Sequence, residues 1–315
     1  MYGLGDELKY EEQTPMKKIF HISGTTLPGG GPEHIFQLLR RLNENEWKVI
    51  ICTSNDGSYW VKFNSLGAKT YNLSLRILSL KTAFKLFVIL RKEKPDLVHT
   101  HGKGPGLYGR VISIFLNIPT VHTFHGFHYE DLSLLTRSIH LAADFFLTLI
   151  TAQHIFVSRG EKNRARAIKL LDEDNSTIIY NGVDYDYINN MSVCRKSVLK
   201  NTGCEDWTNN KLLGTIARLS PEKGILNLIH GFAHALETCS NLRLAIIGSC
   251  QEEHAQYLES IQTLVGELNL SRKIAILGYR ENAFEILKIM DAYITTSLSE
   301  GLPYNILEAI ALERP

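Results

Sequence analysis

The stretch LLGTIARLSPEKG, residues 212–224, joins a short apolar run to a loop that carries two cations. Residues 212–217 have the length and the apolar character of a buried strand. Ser220 and Pro221 then fit the N-cap and first-turn positions of a helix. A strand that passes through a short loop into a helix is the repeating unit of a parallel α/β sheet.

The same succession recurs on both sides of this stretch. Earlier in the chain, we predict strands at residues 18–22, 49–52, 97–99, 120–123, 155–157 and 178–180. Later in the chain, we predict them at residues 242–247, 274–277 and 292–295. Helical patterns separate these runs, as in a parallel sheet that is covered on both faces. The sequence therefore predicts an α/β protein with two consecutive Rossmann-like domains.

Composition changes divide the chain into four predicted segments. Residues 1–15 are polar and acidic and predict a disordered extension, and residues 16–185 form the first domain. The polar residues 186–210 predict a connector with a helix or two, and residues 211–315 form the second domain. Only one helix, residues 304–312, follows the last predicted strand, so we expect the second domain to be incomplete.

The overall composition is that of an ordinary globular protein. Hydrophobic residues make up 44% of the 315 residues, and 34 basic residues nearly balance 33 acidic ones. A formal charge of +1 argues against a surface built to hold nucleic acid. The five cysteines form no C-x-x-C pair, which favours free thiols in a reducing compartment. No signal peptide and no apolar run of 18 residues is present, so we predict a cytoplasmic protein.

Ligands of open parallel sheets bind beyond the carboxyl ends of the strands, so the loops there matter most. Arg218 and Lys223 follow the strand at residues 212–217 and could seat a diphosphate. Arginine grips two oxygens with its planar fork, and lysine adds a point charge. Two solvated cations near a helix start are the alternative interpretation.

A second loop, residues 297–303, follows the last predicted strand and enters a helix that carries Glu308. Pro303 fits a first helical position, and the amide groups of a helix start favour an anion. Glu308 can accept hydrogen bonds from the two hydroxyls of a ribose, and Glu300 can reach another part of the same ligand. A capping glutamate and a surface glutamate are the alternative.

Several histidines lie near predicted strand ends. His122, His125 and His128 are spaced three residues apart, like metal ligands, but no carboxylate or cysteine completes a set. We therefore predict no metal site. His99 and His101 flank another strand end, where a structural role is favoured over contact with a substrate.

The pairing of Arg218 and Lys223 with Glu300 and Glu308 resembles the signature of glycosyltransferase family four, the retaining GT-B enzymes. The resemblance extends from Lys17 to the end of the chain and includes the N-terminal glycine-rich loop at residues 24–31. It implies two Rossmann-like domains whose parallel sheets face each other across a cleft. Residues 16–185 would be the acceptor side, and residues 211–315 would bind the nucleotide-sugar.

The resemblance also implies a role for each candidate residue. Arg218 and Lys223 would stabilise the diphosphate leaving group, Glu308 would hold the ribose, and Glu300 would hold the donor sugar or its phosphate. His125 would contact the sugar. The remaining donor-binding candidates lie in loops: Gly30 and Gly31 for the phosphates, Gly301 and Leu302 in the glutamate loop, and Tyr279 for the base. For the glycines and Tyr279, plain turns are the alternative.

The implied reaction is the transfer of a sugar, with retention, from a UDP-sugar to a saccharide or lipid-linked acceptor in cell-envelope polysaccharide or glycolipid synthesis. The nucleotide-sugar is a substrate, and we expect no cofactor. No pair of carboxylates is placed as a glycosidase requires. The nearest Asp-x-Asp sequence, residues 184–186, lies next to the connector, so fixed cations and helix amides would replace Mg²⁺.

Three alternatives stay open at this stage. Residues 72–94 carry six basic residues among apolar ones and could form a helix on the inner face of a membrane, or a core helix with a solvated face. A nucleotide-sugar 2-epimerase would share the GT-B fold but would need acid–base carboxylates near the sugar. The chain could also be an inactive nucleotide-binding fragment or subunit, given the incomplete second domain.

Overall fold

The computed structural model describes residues 16–42, 45–127, 133–170 and 173–315. The chain divides into two compact units, Met1–Ile179 and Tyr180–Pro315. The predicted extension at residues 1–15 and the histidine His128 lie outside the described residues. In the described part of the chain, no helix is both long enough and apolar enough to cross a membrane.

The first unit is built on a seven-stranded parallel sheet with the order β3-β2-β1-β4-β5-β6-β7. Its strands are β1 (Lys17–Ile22), β2 (Trp47–Thr53), β3 (Lys69–Asn72), β4 (Leu97–His101), β5 (Thr120–Phe124), β6 (Gln153–Phe156) and β7 (Ser176–Ile178). Its helices are α1 (Gly30–Leu39), α2 (Tyr59–Ser65), α3 (Leu80–Glu93), α4 (Lys103–Phe115), α5 (Leu134–Leu149) and α6 (Arg159–Ala167).

Helices cover both faces of this sheet, as the sequence predicts. Successive residues of a strand point to opposite faces. Accordingly, Ile50 packs in one buried cluster with Leu86 of α3, while Ile51 packs in another with Ile35 of α1 and Phe63 of α2. The apolar run of β2 is therefore buried on both sides, which is typical of a parallel sheet.

The second unit repeats the plan with a four-stranded parallel sheet, in the order β10-β9-β8-β11. Its strands are β8 (Lys211–Ile216), β9 (Leu242–Ile247), β10 (Ile274–Gly278) and β11 (Ala292–Tyr293). Its helices are α7 (Tyr185–Asn190), α8 (Arg195–Asn201), α9 (Ile225–Thr238), α10 (Ala255–Glu267), α11 (Ala283–Ile289) and α12 (Tyr304–Ala311), with 3₁₀ turns at Glu205–Trp207, Pro221–Lys223 and Glu252–His254.

The segment predicted as a connector, residues 186–210, is folded into the second unit. Ile188, Val198 and Trp207 are buried in a cluster with residues of β9, α11 and α12. The Arg195 guanidinium donates to the carbonyl oxygens of Ile289 and Asn210. The bonds connect the polar segment to the end of α11 and the start of β8, and its buried residues form part of the core of the second unit.

Candidate functional site

The strand order of the second unit decides where a ligand can bind. If the four strands are numbered from β8 in chain order, their order in the sheet is 3-2-1-4. β9 and β10 therefore lie on one side of β8, and β11 lies on the other. A crevice opens at this switch point, beyond the carboxyl ends of β8 and β11. The two loops singled out in the sequence begin there, one after Ile216 and one after Tyr293.

Hydrogen bonds join these two loops directly. The Thr296 hydroxyl contacts the carbonyl oxygens of Lys223 at 3.1 Å and Gly224 at 2.9 Å, and the Leu298 amide donates to the Glu222 carbonyl at 2.9 Å. The Asn305 side chain donates to the Ile216 carbonyl at 2.5 Å. The start of α12 is thereby fixed at the end of β8.

Gly224 makes the close approach of the loops feasible. Its φ angle of +62° lies in the left-handed region, and a Cβ atom there would lie 2.3 Å from the Thr296 carbonyl oxygen. A side chain would therefore be excluded both by the backbone conformation and by the neighbouring loop. Gly248, beyond β9, is comparable, because a Cβ atom there would lie 1.7 Å from the Ala217 carbonyl oxygen.

This arrangement brings Lys223 and Glu300 into contact. Lys223 Nζ donates to Glu300 Oε1 at 2.5 Å, and the side chains are only 14% and 26% exposed. Arg218 lies in the same loop as Lys223 and is about half exposed, with Nη2 at 3.4 Å from Glu222 Oε1. Gly301 and Leu302 follow Glu300, and the Leu302 carbonyl accepts a bond from Asn181 at 2.8 Å.

Two residues that the sequence analysis did not assign also shape this site. Burial opposes ionisation of Glu222, but a bond from the Ser220 hydroxyl and the charges of Arg218 and Lys223 together lower its pKa. Burial raises the pKa of Tyr293 to about 12, and the carboxylates of Glu308 and Glu300 add to the shift. Tyr293 is therefore a neutral phenol beside both glutamates.

Several sequence predictions need local revision. Ser220 is the N-cap of a 3₁₀ turn, not of an α-helix, and its hydroxyl bonds to the Glu222 carboxylate instead of a backbone amide. Pro303 is the N-cap of α12, one residue before the predicted position. Tyr279 follows β10 directly and is 44% exposed. Glu308 lies in the second turn of α12, as predicted.

In the first unit, Gly30 and Gly31 form the first turn of α1 and not part of the preceding loop, because helical hydrogen bonding already starts at Gly29. A Cβ atom at either position would meet nothing within 4 Å, so the packing of the chain itself does not require glycine there. The helix ends at Leu39.

Histidines surround the switch point of the first sheet, between β1 and β4. His125 follows β5, and its Nε2 atom lies 3.3 Å from Nδ1 of His101. Burial lowers the pKa of His125 to about 3, and the nearby His34 adds to the effect. His99 and His101, predicted to flank a strand end, are buried within β4, and His122 bonds instead to the Thr100 hydroxyl at 2.7 Å.

Comparison with known proteins agrees with this architecture. Residues 28–187 match the model of Glycosyltransferase Family 4, and residues 205–315 match that of Glycosyl transferases group 1. The chain is similar to the Escherichia coli UDP-Gal:alpha-D-GlcNAc-diphosphoundecaprenol alpha-1,3-galactosyltransferase, with 30% identity over 245 residues, 76% of this chain and 61% of that protein. It thus spans about three fifths of the length of the curated relatives that it matches first.

Two further similarities extend over almost the whole chain. The capsular polysaccharide biosynthesis glycosyltransferase CapH of Staphylococcus aureus is 22% identical over 302 residues, 93% of this chain and 79% of that protein. The crystal structure of Anabaena Alr3699/HepE in complex with UDP and glucose superposes with a TM-score of 0.82 at 18% identity, covering 95% of this chain and 79% of that one. The predicted GT-B fold class is thereby confirmed.

Proposed function

This chain belongs to glycosyltransferase family 4, and from that premise we propose that it transfers a sugar from a UDP-sugar to a saccharide or lipid-linked acceptor, with retention of configuration. The Lys223–Glu300 contact at the switch point, next to Arg218, carries the proposal. The relatives support it. The E. coli relative is named for UDP-Gal and a diphosphoundecaprenol-linked sugar, and the similar Anabaena structure contains UDP. Capsule synthesis by CapH supports a role in making cell-envelope polysaccharide.

The two cations act on the leaving group. When the bond between the sugar and the diphosphate breaks, its electron pair stays on the phosphate oxygen, and Arg218 and Lys223 offset the negative charge that develops there. Lys223 is already held by Glu300, so its ammonium group is positioned before the donor binds. Arg218 is paired with Glu222, and both side chains are about half exposed. Such a surface pair contributes about 0–1 kcal/mol, so Arg218 can exchange Glu222 for the diphosphate at little cost.

The glutamates bind hydroxyl groups in this proposal. Glu308 holds the ribose, Glu300 holds the donor sugar, Tyr279 lies beside the base, and the backbone of Gly301 and Leu302 completes the loop. Because Glu300 is engaged by Lys223, it is poorly placed to act as a general base. As the resemblance to the retaining GT-B enzymes implies, the acceptor hydroxyl attacks from the face of the leaving group and passes its proton to the departing phosphate oxygen, which retains the configuration.

The first unit contributes His125, Gly30 and Gly31. Because burial holds the pKa of His125 near 3, its ring is neutral at pH 7 and bonds to a sugar hydroxyl without adding charge. Gly30 and Gly31 leave open space at the start of α1, where backbone amides can approach phosphate oxygens. No metal ion and no cofactor take part in the proposed transfer.

Nucleotide binding tests the donor site. Isothermal titration with UDP, GDP and ADP, each with Mg²⁺ and with a chelator, should show UDP binding that does not need the metal. The Arg218→Ala/Glu308→Ala variant should lose it. The matched control is Arg272→Ala/Glu267→Ala, since both residues are exposed near the opposite, amino-terminal edge of the same sheet. Equal binding by the parent and the first variant would refute the site assignment.

Product analysis tests the reaction. With a UDP-sugar and a polyprenyl-diphosphate-linked sugar as acceptor, nuclear magnetic resonance should show a product with the anomeric configuration of the donor. An inverted product would contradict the mechanism. Incubation of UDP-GlcNAc without acceptor should leave the sugar unchanged, and a 2-epimer in that sample would establish the epimerase alternative.

We also propose that α3 rests on an anionic membrane surface. One face of this helix presents Leu80, Phe84 and Val88, which are 91%, 68% and 46% exposed. The exposed Lys81 and Lys85 flank them. A core helix with an ordinary solvated face would not leave such apolar side chains in water, whereas a helix lying at a lipid interface buries them and places the lysines near the headgroups.

A further inference from the structure

Five histidines of the first unit form one continuous cluster at its switch point. His21 comes from β1, His99 and His101 from β4, His34 from α1, and His125 from the loop after β5. The His99 and His101 rings lie 4.2 Å apart between centroids, and the His34 and His125 rings lie 5.0 Å apart. His21 is fully buried, and His99 and His101 are 4% and 3% exposed.

Packing alone is a poor explanation for this cluster. Burial keeps these rings neutral, because it lowers the pKa of His21 to about 3 and those of His99 and His101 well below the ordinary value. The neighbouring groups whose positive charge would oppose protonation of His21, His99 and His101 are themselves histidines. In addition, His21 Nε2 is buried and has no hydrogen-bond partner in the described structure. Such an orphaned nitrogen costs stability, and a functional role or an ion commonly accounts for it.

Three of the rings have the geometry of a metal site. His34, His101 and His125 each offer one ring nitrogen, and these nitrogens lie within 4.8 Å of one another. Nδ1 of His101 and Nε2 of His125 are 3.3 Å apart. Tetrahedral zinc with bonds of about 2.0–2.1 Å to nitrogen places its ligands about 3.3–3.4 Å apart. We propose that His34, His101 and His125 bind one divalent transition-metal ion of the zinc class.

The surroundings of His101 support this choice. Its other nitrogen, Nε2, lies 3.1 Å from Nδ1 of His21. A hydrogen bond on the second nitrogen of a metal-binding histidine fixes its tautomer and its orientation. His21 would serve this purpose if Nε2 of His101 carries the proton, which leaves the lone pair of Nδ1 directed toward His125.

The two histidine triads of the cluster differ in their access to solvent. His21, His99 and His101 also bring three nitrogens within 4.8 Å, but all three rings are buried. His34 and His125 are partly exposed, so an ion can reach them from solvent. Neutral imidazole is a good ligand for zinc, copper and nickel, and hard ions such as Mg²⁺ prefer oxygen.

Metal binding is measured without nucleotide, so its outcome does not depend on whether the chain transfers a sugar. The protein is dialysed against a chelator and titrated with ZnCl₂ by calorimetry, and its metal content is then determined after gel filtration. The exposed Cys194 and Cys239 are replaced by serine in every sample, because thiols also bind zinc. We expect about one ion per chain, with MgCl₂ giving no signal.

The variants identify the ligands. Loss of an outer-shell partner weakens metal binding roughly 10- to 100-fold. His34→Gln and His125→Gln each remove a direct ligand, so each should weaken Zn²⁺ binding by more than this. The control, His140→Gln, removes an exposed histidine of α5 and should change nothing. Far-ultraviolet circular dichroism confirms that each variant is folded.

Three results would overturn the proposal. They are a parent protein that retains no zinc, unchanged affinity in folded His34→Gln and His125→Gln, and equal loss in His140→Gln. If a single variant fails to fold, the other carries the test, because each replaces one of the two partly exposed ligands. Zinc should also raise the melting temperature of the parent and not that of the variants.

Discussion

Lys223 donates a 2.5 Å hydrogen bond to Glu300, although 77 residues separate them in the sequence. Three further hydrogen bonds between the same two loops fix this pair, two of them made by the Thr296 hydroxyl. Asn305 of α12 adds a bond to Ile216 of β8. Under the proposed function, the lysine would be shared between Glu300 and the diphosphate of the donor. This sharing makes the two partners experimentally separable.

Replacing either partner should have opposite effects on UDP affinity. Lys223→Met removes a charge-assisted hydrogen bond of about 1.5–3 kcal/mol, so we expect UDP to bind about 10- to 150-fold more weakly. Glu300→Gln releases Lys223 from its competitor, so UDP affinity should stay equal or rise while sugar transfer falls. Calorimetry and a transfer assay measure the two effects. Lys211→Met, at the start of β8, is the control, and equal weakening by both site variants would contradict the sharing.

Gly224→Ala should destabilise the second unit. The substitution forces a side chain into a left-handed conformation and against the Thr296 carbonyl, and we expect a loss of about 1–3 kcal/mol or more. Gly231→Ala is the matched control, because that glycine lies in α9 with nothing within 4 Å, and alanine there should stabilise by about 0.4–1 kcal/mol. Urea unfolding followed by fluorescence compares them. A neutral Gly224→Ala would show that the loops are not held as closely as described.

The first unit should lose stability steeply in mild acid. The pKa values of His21, His99, His101 and His125 are depressed in the folded state, so below about pH 6.5 the unfolded chain binds protons that the folded unit does not. For His21 and His125, whose pKa values are about 3, the stability is thus present above pH 6.5 and is lost as the pH falls toward 3. The depressed pKa values of His99 and His101 act in the same direction. Each such histidine adds about 1.4 kcal/mol per pH unit to the slope.

Urea unfolding between pH 5 and pH 7.5 measures this slope. His125→Gln should reduce it by the share of one histidine, whereas His140→Gln, which removes an exposed side chain, should leave it unchanged. A flat profile in the parent protein would mean that the cluster accepts protons without unfolding.

The membrane proposal concerns the exposed face of α3. Each lysine near an anionic surface contributes about 1 kcal/mol, so Lys81→Gln/Lys85→Gln should weaken binding to phosphatidylserine vesicles about 30-fold. Lys200→Gln/Lys211→Gln, which removes two exposed lysines of the second unit, is the control. Sedimentation with anionic and with neutral vesicles measures binding. If the parent protein does not sediment with anionic vesicles, α3 has another role.

The fold was largely readable from the sequence because the buried strands are continuous apolar runs. β3 was missed, since Lys69–Asn72 is a partly exposed edge strand without such a run. β7 begins two residues before its prediction for a similar reason, because Ser176 and Thr177 are polar. An edge strand pairs through backbone hydrogen bonds, which most residue types can make, so its residue types do not identify it as a strand.

The candidate site of the second unit was less readable, because its key contacts join distant segments. The spacing of Arg218 and Lys223 identified a cationic loop, and the glutamates identified a second one. Nothing in either motif indicates that Lys223 contacts Glu300 or that Glu222 competes for Arg218. In the first unit, His122, His125 and His128 are neighbours in sequence, whereas the structure brings together His34, His101 and His125 from three separate segments.

The strand order of the second unit also dictates when its four-stranded sheet can form during synthesis. β8, β9 and β10 can pair as they emerge, but the crevice does not exist until β11 returns to the open side of β8. Parallel pairings over such separations form slowly, since loop closure precedes any gain from contacts. The proposed nucleotide binding would therefore be acquired in a late step of folding, and a nucleotide would distinguish the four-stranded sheet from a three-stranded precursor.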